Sequence, residues 1–181
     1  MKIALIGSAP SSIKLAPYSD PNWSIWGCSP AVFFQAGKLD QWFELHRWEP
    51  PVIGKPDQQV PWLSPEYCAW MAQFKGPVWM YEPAPEIPNS KALPWQDLVK
   101  KYGHYFFTSS IAWMFATALE SILSERKTLK ESGQTKAEPD MIGMWGVDMA
   151  ADQEYGYQRA GLQFFAMIAT SLRIYVVVPP E

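Results

Sequence analysis

The feature that most constrains the fold is the opening stretch Lys2-Ile3-Ala4-Leu5-Ile6-Gly7-Ser8-Ala9-Pro10-Ser11-Ser12. A short, wholly apolar run stops at a glycine and passes into small and hydroxyl residues. This is how a buried parallel strand delivers the chain to a tight turn at the carboxyl edge of a sheet. In open α/β folds that edge is where nucleotides bind. Only one glycine of the dinucleotide fingerprint G-x-G-x-x-G is present, so the turn does not match that motif. Ser8, Ser11 and Ser12 are still donors for a phosphate or a ribose. The alternative is that Gly7 turns the chain and Ser11 or Ser12 caps a short helix.

Strand-like and helix-like segments then alternate. Strands are expected at 2–7, 24–28, 40–45, 78–81, 141–147 and 173–178. Helices are expected at 30–37, from Ser64-Pro65 through Met71, and at 95–102, 110–125 and 157–171. The 110–125 segment carries Ile111, Phe115, Ala118, Leu119 and Ile122 at helical spacing. Segments 48–63 and 82–94 are proline-rich and aperiodic. They read either as walls of an active site, with Trp48 and Trp62, or as surface covering. The polar stretch 124–139, with Gly133 and Pro139, is expected to be a mobile loop. This alternation predicts an α/β fold: a single Rossmann-like domain over 1–181, its mostly parallel sheet of about six strands covered by helices on both faces.

The composition narrows the function. A chain of 181 residues, 48% hydrophobic and 18% charged, suits one substantial core. Its net charge of −3 lacks the broad basic field of a non-specific nucleic-acid binder. Cys28 and Cys68 form neither a disulfide framework nor a metal-binding spacing, which points to a reduced, cytoplasmic setting. The first apolar run is too short for a signal peptide, and no run approaches the ~20 residues that span a bilayer. The chain also carries 10 Trp, 8 Tyr and 9 Phe. Most must fill the core, and the rest are available to stack on bases and sugar rings.

Three small-residue turns fall at expected strand ends: Gly7-Ser8, Gly27-Cys28-Ser29 and Gly146-Val147-Asp148. Thr108-Ser109-Ser110 opens the long helix. In a parallel sheet the strand ends share one edge, and a helix amino end adds free N–H groups and a positive dipole end. Together these form a site for a phosphorylated or nucleotide ligand; the alternative for Thr108 and Ser109 is capping alone. His46, close to Glu44, is suited to act as a base, against the alternative of a structural histidine. Tyr155, Tyr157, Gln158 and Arg159 cluster before the last helix. Arg159 can hold a phosphate in fork geometry, with Tyr157 beside it. Alternatively, Arg159 pairs on the surface with Asp148, Asp152 or Glu154. Asp148 is read as a ligand for ribose hydroxyls, an aid to the acceptor, or a turn cap. There is no Asp-x-Asp, zinc or Walker A pattern, so neither a metal nor a resident cofactor is expected.

The order of these segments resembles the bacterial sialyltransferases that use CMP-sialic acid and the related motility-associated glycosyltransferase-like group. Their Gly-x-Gly-Pro-Ser turn has its counterpart in Gly7-Ser8-Ala9-Pro10-Ser11, with Ala9 replacing the second glycine. Gly27-Cys28-Ser29 stands at the Arg-Cys-Asn-like element. Thr108-Ser109-Ser110 stands at the Thr-Ser-Gly turn, and Trp145-Gly146-Val147-Asp148-Met149 at the Ser-Gly-Ile-Asp-Phe-like strand end. The segment that carries the family's tyrosines and catalytic histidine is cut here to 149–159, without histidine. The resemblance implies group transfer from a nucleotide-sugar donor, with a glycan or a nucleic-acid base as acceptor, in a small phage or bacterial accessory enzyme. The donor would lie across Gly7, Ser8, Pro10, Ser11, Gly27, Cys28, Ser29, Gly146 and Thr108–Ser110. Arg159 and Tyr157 would steady the leaving phosphate, and His46 or Asp148 would deprotonate the acceptor. A non-catalytic nucleotide-binding protein and a nucleoside or phosphate hydrolase are the rival readings, and an oligomer is compatible with all three.

Overall fold

The computed structural model describes residues 1–28, 37–48, 63–148 and 153–179, with side chains from 158 onward in the last segment. Among these, seven strands form one sheet in the order β5-β4-β3-β2-β1-β6-β7. They are β1 Lys2–Ile6, β2 Trp23–Cys28, β3 Gln41–Phe43, β4 Val78–Met80, β5 Ser90–Ala92, β6 Met141–Trp145 and β7 Tyr175–Val177. Every neighbouring pair is parallel. The helices are α1 Pro65–Gln73, α2 Trp95–Tyr102, α3 Ser110–Glu131 and α4 Gln153–Ser171, and a short 3-10 turn covers Ile13–Leu15.

The two faces of the sheet bury separate cores. Ile3, Leu5, Trp26 and Phe43 face α2, α3 and α4. Ala4, Ile6, Ile25, Trp42 and Val78 face α1 and the Ile13 turn. The chain therefore has the expected α/β architecture, a parallel sheet with helices on both faces. Helix α3 is apolar all round in its first half, where Ile111 through Leu119 are all buried. Phe107 stacks on Trp113 and Tyr102 meets Phe165 edge-on, so α2 and α4 close over the flanks that the sheet leaves open. Thr117, buried there, donates its hydroxyl to the Trp113 carbonyl.

Three elements differ from expectation. Residues 124–131 continue α3 instead of forming a loop. They contain neither Gly nor Pro and include Glu, Arg, Lys and Leu, all good helix formers. The stop comes at Gly133 (φ 68), where Gln134 N donates to Leu129 O, the left-handed ending that glycine permits. Strand β5 is a seventh strand inside 82–94. It is a short edge strand, largely exposed, so no apolar alternation marks it. The third strand ends at Phe43, which leaves Glu44 and His46 beyond it. The expected helix at 30–37 lies almost wholly outside the described residues, as does most of the 48–63 segment.

Candidate functional site at the carboxyl rim of the sheet

The strand order sets where a site can form. From β1 the chain leaves over the α1 face, since Ile13 packs with that core. From β6 it leaves through α4, whose Leu162 and Phe165 pack on the other face. Adjacent strands whose continuations diverge in this way open a crevice at their carboxyl ends, a topological switch point. Here that point lies between β1 and β6, which pair from Lys2↔Met141 to Ile6↔Trp145.

Gly7 and Gly146 meet at this point. A Cβ on Gly7 would sit 2.3 Å from the Gly146 carbonyl oxygen, and one on Gly146 would sit 2.5 Å from that of Gly7. Gly146 also has φ 66, a left-handed conformation that side chains strain to adopt. Gly7 N donates to Trp145 O and Ala9 N to Gly146 O, both at 2.8 Å. Ser12 does not cap the 3-10 turn with its side chain; its buried hydroxyl accepts from Gly146 N at 2.8 Å. Ser11 donates to Asp148 Oδ1 at 2.6 Å, which leaves an exposed hydroxyl–carboxylate pair on the rim beside exposed Ser8 and Pro10. Trp145 does not fill the crevice. Its ring lies back over Gly143 and meets Trp23 edge-on at 5.4 Å, towards the opposite edge of the sheet.

The amino end of α3 reaches the same rim. Arg126 bonds Asp140 at 2.7 Å, at the other edge of the sheet. Some 24 Å of helix separates Ser110 from Arg126, against ~17 Å for a five-residue strand. Ser109 caps α3 by accepting from Ala112 N at 3.2 Å. Thr108, exposed, lies against α4, where Gly161 leaves room for its Oγ1 and for the Phe106 carbonyl. Arg159 is exposed near the start of α4.

Further along the rim, past β2, stands a buried polar chain. Glu44 is 1% exposed. Its Oε1 accepts from His46 N at 2.9 Å and lies 2.6 Å from His46 Nδ1. Its Oε2 accepts from the Tyr67 hydroxyl at 2.5 Å, and Trp42 Nε1 donates to that hydroxyl at 2.7 Å. The hydrogen bond to Glu44 pushes His46 above its ordinary value of 6.5. Burial, reinforced by Glu44, raises the Tyr67 hydroxyl well above its usual range. His46 itself keeps 42% of its side chain exposed.

The other expected site residues are distributed as follows. Gly27 and Cys28 lie within β2 and are buried. Gly27 makes room for the Trp42 ring, while Cys28 Sγ faces Ile6 O and burial pushes its thiol up to about 12. Ser29 and the Tyr157 side chain lie outside the described residues. Sequence reasoning missed Glu44 and Tyr67 as members of a site. The available signal was an acidic residue at the inward position two beyond Trp42. Towards β4 and β5 the rim is aromatic, with Tyr81 edge-on to both Trp95 and Trp113. Two further hollows lie elsewhere, one about Arg126, Lys130 and Gly133, the other about Lys2, Asn22 and Asp40. Among the described residues, no three His, Cys, Asp or Glu side chains stand together as a metal-binding group, and no helix is long and apolar enough to cross a membrane.

No family model matches this chain, and no curated protein does. Among solved structures it is similar to the crystal structure of thiamine pyrophosphokinase from Bacillus subtilis, with a TM-score of 0.51 and 11% identity. That match covers 99% of this chain and 60% of the other, so this chain spans less than two thirds of its neighbour. At that identity the likeness establishes the fold.

Proposed function

We propose that this protein binds a nucleotide or nucleotide-sugar at the β1–β6 switch point and transfers the attached group to an acceptor. The observation that carries the reading is the direct meeting of the Gly7 and Gly146 turns there, beside the Ser11–Asp148 pair. Two backbones this close keep side chains out of the bottom of the crevice, so a ligand can approach the turns themselves; the N–H groups of Gly7, Ala9 and Gly146 are spent inside the turns. Asp148, held by the Ser11 hydroxyl, is placed to accept from ribose hydroxyls, and Ser8 to donate. The similar fold of a pyrophosphokinase, a group-transfer enzyme by its name, is consistent with this reading.

In the glycosyl-transfer form of the proposal, His46 takes the proton of an acceptor hydroxyl. The acceptor oxygen forms a bond to the sugar's anomeric carbon. The bond from that carbon to the nucleotide phosphate breaks, and its electron pair leaves with the phosphate. Arg159 stabilises that leaving charge, and the rings of Tyr81 and Trp95 offer faces to the acceptor. The test is a panel of labelled nucleotide-sugars with glycan and nucleobase acceptors, read for a sugar–acceptor product. Acceptor-dependent product supports transfer. Free sugar without acceptor would indicate a hydrolase. Binding without turnover, unchanged in His46→Ala, would indicate a binding protein.

A further inference from the structure

We propose that Glu44, Tyr67 and Trp42 are positioning residues that lock neutral His46 in its Nδ1–H tautomer, making Nε2 the nitrogen that accepts the proton. The assignment follows from counting donors along the chain. An indole N–H can only donate, so Trp42 Nε1 supplies a proton to the Tyr67 oxygen. Tyr67 therefore turns its own proton towards Glu44 Oε2, 2.5 Å away. At the other carboxylate oxygen, the backbone N–H of His46 is again a donor only. With donors fixed at both of its oxygens Glu44 serves as the acceptor, and its remaining contact, His46 Nδ1 at 2.6 Å, is satisfied by an N–H. In that tautomer the ring's lone pair lies on Nε2, the nitrogen that takes up a proton, as when a buried carboxylate orients an imidazole in other proton-transfer sites.

The chain is also anchored mechanically. Trp42 lies in β3 and is fully buried. Tyr67 sits in the first turn of α1, and its backbone N–H is held by the Ser64 cap. The base is thus fixed by the sheet on one side and by a capped helix on the other. The titratable groups around Glu44 among the described residues are Tyr67 and Cys68 on α1 and Cys28 on β2. Burial raises all three, so they keep their protons through the neutral range. Arg47 follows His46 in sequence and carries a fixed positive charge. His46 is therefore the group in this cluster that titrates near neutrality.

This inference rests on the reading of His46 as the base, but its test needs no ligand. Imidazole ¹⁵N shifts of His46 are followed through a pH titration of the intact protein, with His104→Gln used to assign the two histidines. The expected result is an Nδ1–H tautomer in the neutral form, with a midpoint above 6.5 that falls in Glu44→Gln. A neutral Nε2–H tautomer in the wild type overturns the proposal, and so does an unchanged midpoint in a folded Glu44→Gln. If that variant fails to fold, the wild-type tautomer decides alone. Failure of every nucleotide to bind would leave this result standing, and a wrong tautomer would leave nucleotide binding standing.

Discussion

At the scale of single residues, the site depends on what is absent at two positions. Neither Gly7 nor Gly146 can accept a methyl group, because each would strike the other's carbonyl oxygen at 2.3 to 2.5 Å. These obstacles are backbone atoms fixed by the β1–β6 ladder and cannot swing aside. Gly146→Ala adds left-handed strain and should cost at least about 1–3 kcal/mol, read as a lower urea midpoint at constant slope. His46 gives a pH signature. Its folded midpoint is raised above 6.5 by Glu44, so the stabilisation from this pair is fully present below 6.5. It is lost as pH rises through the raised midpoint. With 42% of the side chain in water, the effect falls in the small range of exposed ion pairs. Urea unfolding from pH 6 to pH 9 should show this loss in the wild type and not in His46→Gln.

At the scale of elements, two serine caps aim the helices that border the rim. Ser64 accepts from Tyr67 N and Ser109 from Ala112 N, both at 3.2 Å. Replacing either by alanine should cost about 1 kcal/mol in thermal or chemical unfolding. Ser64→Ala should also loosen the Tyr67 end of the polar chain. At the opposite edge, Asp140 is 3% exposed and receives Arg126 and Lys136, each at 2.7 Å. These cations and the Met1 amino group, 2.5 Å from Asp140, still reach water, so Asp140→Ala should cost about 1.5–3 kcal/mol, the range for hydrogen bonds to charged groups, below that of a fully buried pair. The elements themselves were legible where composition is decisive. The β1 and β6 runs, the Ser64-Pro65 start and the α3 periodicity could all be read. Strand β5 was not, because an exposed edge strand needs no apolar alternation. The last turns of α3 were not, because a solvated helix and a polar loop have similar composition until Gly133 marks the end.

At the scale of the whole molecule, the switch point emerges from topology that no single segment carries. The glycines at 7 and 146 could be read as strand-end turns, yet nothing local reveals that β6 returns to pair with β1 after β5. That crossing over the α3 face brings Ser11 to Asp148 and Ser12 to Gly146, at sequence separations of 137 and 134 residues. The same holds for Glu44 and Tyr67. The carboxylate looked like a neighbour of His46, and only the packing of α1 on β3 makes it the centre of a chain. Conversely, the Gly27-Cys28 turn read from sequence lies inside a strand, because β2 runs through to Cys28 and both residues pack inward.

Nucleotide binding in the β1–β6 crevice is tested by the melting temperature of the wild type and of Asp148→Ala with CMP, UMP, GMP, AMP and their sugar conjugates. A ligand at a hundred times its Kd adds about 2.7 kcal/mol of stability. At least one of these compounds should raise the melting temperature of the wild type, and the increase should shrink in Asp148→Ala. No increase with any of them at millimolar concentration, or an increase that is the same in the variant, would contradict nucleotide binding there.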